Sequence, residues 1–290
     1  MKKLFNTIFE IFDNKMNFSY LKRLGLVISL ISIIFITTEF EDINFDLSNL
    51  NIEFLILSTF FMLLSYIMFG IAWANYLNKN INLEKKESFN FWAYSNLGKY
   101  VPGFVGIPLL RITQKEVKSK IMFFGLVEEQ LIPVIILVPT SLILLNTNFS
   151  TNYFILFSFF IVILIKLMKS MFEKFNILNG KNSYVTSISI LFFGFLSQYI
   201  SIFLICNEIV SQNAHKLALL YTLSSSIALI VIGSPSGIGV RELILLQISK
   251  PIFNNEILLL VMFVARIVYL LSDSLTGIYG LIKVSIKKSN

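Results

Sequence analysis

The chain has 290 residues, of which 56% are hydrophobic and only 14% charged, with 29 Phe and a mean hydropathy of +0.76. A soluble domain carries about 25% charged residues, so this chain lacks the charge to cover a water-facing surface and reads as an all-α polytopic membrane protein. Its 24 Lys and Arg against 17 Asp and Glu give a net charge of +7, which in such a protein reports topology and gives no reason to expect nucleic acid as a partner.

Residues 1–23 hold Lys2, Lys3, Lys15, Lys22 and Arg23 and read as a basic cytoplasmic segment. Behind it, 24–290 reads as one transmembrane domain with halves over 24–145 and 152–282. The first apolar run follows the basic segment without a small-residue cleavage site, so a retained helix is expected and not a signal peptide. Apolar runs near the bilayer-crossing length of about 20 residues predict six full spans, at 24–38, 54–74, 121–145, 152–168, 185–206 and 257–282. Placing 1–23, 75–91, 111–120, 166–184 and the tail in the cytoplasm puts 19 of the 24 cations there. The connection 37–53 carries Glu39, Glu41, Asp42, Asp46 and Glu53 with no cation, and 146–151 carries no charge. Those two face outward, and both termini are expected in the cytoplasm.

Two stretches do not fit as ordinary spans. Residues 92–110 are flanked by cations on both sides, and Pro102, Gly103, Gly106 and Pro108 break a helix midway, which suits a segment that enters from the cytoplasm and returns. Residues 216–250 hold an apolar run over 217–232, then Gly233-Ser-Pro-Ser-Gly-Ile-Gly-Val-Arg-Glu242, then a short apolar helix to position 248. Topology requires this stretch to begin and end outside. Each half then reads span, span, broken re-entrant segment, span. The expected fold is six transmembrane helices plus two broken re-entrant segments arranged as inverted repeats, a pattern that points to a transporter site near the midplane.

Charged groups in apolar helices cost roughly 2.5 to 3.5 kcal/mol each, so the few present are candidate site residues. Glu128 and Glu129 are adjacent in the third span and point about 100° apart, so at least one should face the interior, to bind a cationic headgroup, pair with an Arg or take up a proton. Arg241 and Glu242 follow Pro235, Gly237 and Gly239 at the second break, where a new helix offers free N–H groups and its positive end to an anion such as phosphate. Alternatively, Arg241 pairs internally with Glu242 or Glu129. Lys99 and Tyr100 sit at the first break, where Lys99 either faces a shared cavity or snorkels to the headgroups. Arg266 and Asp273, seven residues apart on the last span, are expected to pair with other helices. His215 reads as an interfacial residue, and the lone Cys206 as a core or lipid-facing one. The sequence has no Walker A loop, HExxH pair or GxSxG elbow, so no metal or cofactor is expected.

The string Asn96-Leu-Gly-Lys-Tyr-Val-Pro-Gly103, followed by Val127-Glu-Glu-Gln130 and by Gly233-Ser-Pro-Ser-Gly-Ile-Gly-Val-Arg-Glu242, resembles the lysylphosphatidylglycerol synthase transmembrane-region family, the flippase-like domain of the multiple peptide resistance factor. The resemblance spans most of the chain in order. It implies a multi-pass protein of the bacterial cytoplasmic membrane with a flippase-like fold. Its motif residues would be Lys99, Tyr100, Pro102, Gly103, one of Glu128 or Glu129, Pro235, Gly237, Gly239, Arg241 and Glu242. Ser236 departs from the Pro-Gly-Gly common in the family. The sequence stops at Asn290 with no soluble aminoacyl-transferase domain, so synthesis of lysylphosphatidylglycerol by this chain alone is not expected.

The expected function is flipping of an anionic phospholipid, an aminoacylated phospholipid or a polyprenyl-linked glycolipid between leaflets. Protonation of Glu128 or Glu129 is a candidate coupling step. The alternatives are a non-transporting scaffold in cell-envelope assembly and an intramembrane lipid-modifying enzyme with a Glu as base. Expected partners are membrane lipids, with a separate lipid- or glycan-modifying enzyme and a second copy of the chain as further candidates.

Overall fold

The structure, a computed structural model, describes residues 50–100, 183–210, 212–228 and 239–289, with isolated helical positions at 111, 125, 129, 137, 138, 141 and 145. Among these residues all regular structure is helical: α1 (Ile52–Ile81), α2 (Lys85–Ser95) continuing into a 3-10 turn (Asn96–Tyr100), α3 (Ser183–Ile209), α4 (Ala214–Ala228), α5 (Val240–Ser249) and α6 (Asn255–Ser289). Three segments are long and apolar enough to cross a membrane: Ile52–Asn78, Ser189–Ile209 and Asn255–Ile286. They correspond to the expected spans at 54–74, 185–206 and 257–282; the first and third extend beyond the expected bounds at both ends, and the second is shifted toward its C-terminal end. The expected spans at 24–38 and 152–168 lie outside the described residues, and 121–145 is described only at isolated helical positions.

The three long helices are apolar on both faces, which separates them from the one-sided helices of a soluble domain. On α6, Leu258, Val261, Met262, Ala265 and Val268 are buried, whereas Phe263, Ile267, Leu270, Leu271, Leu275 and Ile278 are exposed. On α1, Met62, Tyr66, Trp73 and Leu77 point inward while Ile56, Phe60, Ile67 and Ile71 point outward. Water would penalise the outer set at roughly 25 cal/mol per Å², and lipid would not. Several small polar side chains inside these helices satisfy themselves on the preceding turn, as Ser197 does on the Phe193 carbonyl and Thr276 on that of Ser272.

Helices α1 and α3 run antiparallel in close register. The Asn51 N–H, at the start of α1, donates to Glu208 at the end of α3 (3.0 Å), and the buried Ser58 hydroxyl donates to the Ser201 carbonyl (2.9 Å). Phe69 meets Phe195 farther along. Each helix then reverses into a shorter one through an Asn held at positive φ: Asn82 (55°) after α1 and Asn213 (61°) after α3. Asn tolerates this left-handed conformation better than most residues. Helix α2 folds back onto the C-terminal parts of α1 and α6, α4 packs beside α3, and α5 packs against α4 and α6, with Leu217, Leu220, Leu245 and Leu246 joining the α6 core.

The helix leading to the first expected break loses regular α geometry before the breaker residues are reached. The α-helix starts at Lys85 and tightens into 3-10 geometry at Asn96, six residues before Pro102. A proline at 102 has no N–H for the carbonyl of Gly98 and its ring crowds that carbonyl, so regular helix is already costly one turn upstream. In the second half α4 ends at Ala228 and α5 begins at Val240, bracketing the Gly- and Pro-containing stretch. The segment 1–23 and the breaker residues Pro102, Gly103, Gly106, Pro235 and Gly237 lie outside the described residues.

Close approach of α2 and its following turn to α6 depends on two glycines. A Cβ on Gly280 would strike the backbone at Tyr94 and Ala93, whereas one on Gly277 would meet only the Leu97 side chain. A side chain can yield and a helix backbone cannot. Gly280→Ala is therefore expected to cost about 2–3 kcal/mol, clearly more than Gly277→Ala, in reversible unfolding of the protein in detergent or bicelles. Equal costs would mean that the two helices separate freely.

Candidate functional site

The charged side chains of the apolar zone collect into two buried clusters, one beside each break. In the first, Arg111 is only 1% exposed and forks onto Glu129, Nη1 to Oε2 and Nη2 to Oε1. Its Nε donates to the Ser95 hydroxyl (3.0 Å), which in turn donates to the Trp92 carbonyl. The Trp92 indole N–H donates to Glu129 Oε1 (3.0 Å), and the guanidinium lies over the Trp73 ring, 4.1 Å from its centroid. Every face of the buried cation is thus matched by an acceptor or an aromatic face. Beside it, Lys99 Nζ lies 2.8 Å from Asp273 Oδ1 on α6 and 4.5 Å from the centroid of the Tyr66 ring. Tyr66 and Trp73 are seven residues apart on α1, so one helix face provides both rings.

The sequence helices position these groups in a simple way. Helix α2 carries Trp92 and Ser95 on its buried face, and the 3-10 turn that follows delivers Lys99 one turn farther on. Next to the cluster, Phe69, Ala72, Trp73, Tyr76, Gly125, Glu129 and Leu191 line a small cavity of about 20 Å³, the room one water needs.

The second cluster is built on the start of α5. Gly239 sits at φ 83° and ψ −50°, a conformation open to glycine and strained for other residues. Its N–H donates to Glu242 Oε2 (2.9 Å), while Arg241 donates to Glu242 Oε1 through Nε (3.3 Å) and Nη2 (3.2 Å). Arg266 of α6 brings Nη2 to 2.7 Å from the same Oε1. The Arg241 guanidinium lies between two rings, 5.0 Å from the centroid of Tyr221 on α4 and 4.8 Å from that of Tyr269 on α6. Arg241 and Glu242 are each 6% exposed.

Several expected residues therefore come together, with three differences in how they are used. Arg111, expected among the cations of a cytoplasmic loop, is instead fully buried. Lys99 does not snorkel but is paired with Asp273. The N-terminus of α5, expected to offer free N–H groups, already has its Gly239 N–H taken by Glu242. Arg241 pairs with Glu242 and not with Glu129. Of the two adjacent carboxylates, Glu129 faces the interior, while Glu128 lies outside the described residues. Tyr100 ends the 3-10 turn, and His215 is exposed in the first turn of α4. Among the described residues no group of His, Cys, Asp and Glu is arranged to hold a metal.

Arg111 and the rings of Tyr66, Trp73, Trp92, Tyr221 and Tyr269 were not legible as site residues from charge placement alone. One signal existed for Arg111. It follows Leu109-Leu110 and precedes Ile112, whereas Lys115, Lys118 and Lys120 lie in a polar run. Arg241 has the same apolar setting on the side of Leu243 and Ile244. The chain matches no protein-family model and no curated protein.

The buried pair Arg111–Glu129 generates a specific stability pattern. Glu129→Gln leaves the guanidinium without its counter-charge and is expected to cost about 3–5 kcal/mol. The double variant Arg111→Met/Glu129→Leu, which removes both charges together, is expected to recover most of that loss. Lys99→Met, at a position where the ammonium is part-exposed, costs less than Glu129→Gln. Midpoints of denaturant unfolding in mixed micelles check the ranking, and a double variant as unstable as the single one would contradict it.

Proposed function

We propose that this membrane protein translocates a phosphate-bearing lipid between the two leaflets, by a movement of α6 relative to the two helix breaks. One observation carries the reading. A single face of α6 holds both buried clusters, Asp273 pairing with Lys99 at the first break and Arg266 with Glu242 at the second. The two positions lie seven residues apart, or about 10 Å along the helix. Charged groups held inside an apolar helix bundle are costly and are commonly functional. Interrupted helices that bring such groups together are the usual construction of a transporter site.

The inverted-repeat arrangement belongs to the same proposal, and features of both halves support it. Each described half runs long apolar helix, tight turn with an Asn at positive φ, shorter helix, break. The two leading helices, α1 and α3, pack antiparallel, as two halves of opposite orientation require. Each half also contributes a buried Arg that pairs with a carboxylate and stacks on aromatic rings. In the full proposal six spans and two re-entrant segments lie in a bacterial cytoplasmic membrane with both termini inside. Phosphate oxygens compete with Glu242 for the guanidinium groups, α6 shifts, and Lys99 exchanges Asp273 for the passing headgroup. Glu129, engaged by Arg111 and Trp92, serves in this cycle as a pairing group and not as a proton carrier. The substrate classes are an anionic phospholipid, an aminoacylated phospholipid or a polyprenyl-linked glycolipid made by a separate enzyme.

The test is leaflet-resolved headgroup accessibility in proteoliposomes holding labelled phosphatidylglycerol, aminoacylated phosphatidylglycerol or a polyprenyl-phosphate sugar. Movement of one class is expected to depend on the protein and to fall by an order of magnitude or more in folded Asp273→Asn. Absence of movement for every class, with lipid masses unaltered, would favour a scaffold in envelope assembly. A changed lipid mass would favour an intramembrane enzyme.

A further inference from the structure

The two clusters differ in charge. Among the described residues the first is balanced, with Lys99 and Arg111 facing Asp273 and Glu129. At the second, Arg241 and Arg266 share one carboxylate, Glu242, which leaves one positive charge without an acid among the described residues.

Hydrogen bonding is incomplete at the same place. The Tyr221 hydroxyl is buried, in a residue 1% exposed, and has no hydrogen-bond partner among the described residues. Arg266 Nη2 approaches Glu242 Oε1 to 2.7 Å, an ion pair without a well-aligned hydrogen bond. The Arg241 guanidinium lies over the Tyr221 ring, 5.0 Å from its centroid, so the hydroxyl belongs to this cluster. A buried donor without an acceptor costs free energy, and so does a buried cation without an anion. Both costs are relieved by one kind of ligand. A neutral acceptor such as water would satisfy the donors and leave the charge, whereas a group with several anionic oxygens meets both needs.

We propose that Arg241, Arg266 and Tyr221 form a binding site for a tetrahedral oxyanion of single negative charge, the charge state of a phosphodiester. One negative charge brings the cluster to neutrality, and its oxygens accept from the Tyr221 hydroxyl and the Arg266 guanidinium. As the headgroup seat of a translocase the site rests on the function proposed above; as an anion site it stands on its own. A phospholipid headgroup and free inorganic phosphate offer the same chemistry.

The experiment is a binding titration on the full chain in nonionic detergent, followed by heat of binding and by the unfolding midpoint. The probes are dihexanoyl phosphatidylglycerol, uncharged dihexanoylglycerol and inorganic phosphate at about pH 6, where a phosphate monoanion is well populated. Tyr221→Phe removes a hydroxyl that makes no hydrogen bond among the described residues, so it is expected to fold as well as the wild type and to weaken anion binding about tenfold. Arg266→Gln is expected to weaken it further. Saturation by phosphatidylglycerol but not by dihexanoylglycerol or phosphate would assign the site to a lipid headgroup, and equal saturation by phosphate would assign it to the free ion. No saturable anion binding, or identical affinity in wild type and folded Tyr221→Phe, would overturn the proposal. Binding with the expected Tyr221→Phe loss in a protein that moves no lipid would leave this site standing and remove the translocase reading.

Discussion

The central constraint is the cost of keeping ionised side chains inside a bundle whose outer surface is apolar. While α1, α3 and α6 carry rows of exposed Leu, Ile and Phe, Arg111 and Arg241 are both buried. Their desolvation must be offset locally, and it is offset twice over, by a carboxylate and by aromatic faces. Trp73 serves Arg111, while Tyr221 and Tyr269 serve Arg241. Arginine suits this use because its planar, weakly hydrated head stacks on a ring and still donates in the ring plane. The need to place a carboxylate and a ring at each buried cation explains why α2, α4 and α5 lie where they do.

Helix α6 is the element on which both solutions depend. It supplies Asp273 to the first cluster, Arg266 and Tyr269 to the second, and the glycine surface on which α2 rests. A displacement of this one helix therefore alters both clusters together. Packed interfaces with discrete ion pairs change between alternative arrangements more readily than they deform continuously. The difference in charge between the clusters gives such a change a direction, because only the second has a cation to spare among the described residues.

Much of this was legible in the sequence, and the remainder was hidden for physical reasons. Three apolar runs located α1, α3 and α6 because a span of lipid demands length and hydrophobicity and little else. Their ends were set too short, since Asn51, Glu53 and Asn78 are polar yet helical or capping. The scarcity of charge inside apolar runs singled out Lys99, Glu129, Arg241, Glu242, Arg266 and Asp273. Their pairing was not readable, because Lys99 meets Asp273 across 174 positions of sequence. Arg111 was assigned by net charge to a loop, although its apolar neighbours set it apart from the lysines that follow. Trp73, Tyr221 and Tyr269 could not be told from ordinary core aromatics, since only the position of a cation above a ring distinguishes them.

The central claim is that lipid movement requires α6 to shift against the first break, and a reversible covalent lock tests it most directly. Leu97 lies against Gly277 of α6, so Leu97→Cys/Gly277→Cys in a Cys206→Ala background places two thiols at that contact. Lipid transfer would be measured in proteoliposomes before oxidation, after oxidation and after reduction. The account predicts normal transfer in the reduced state, loss on forming the disulfide and recovery when it is cleaved. Undiminished transfer by the fully cross-linked protein would contradict it.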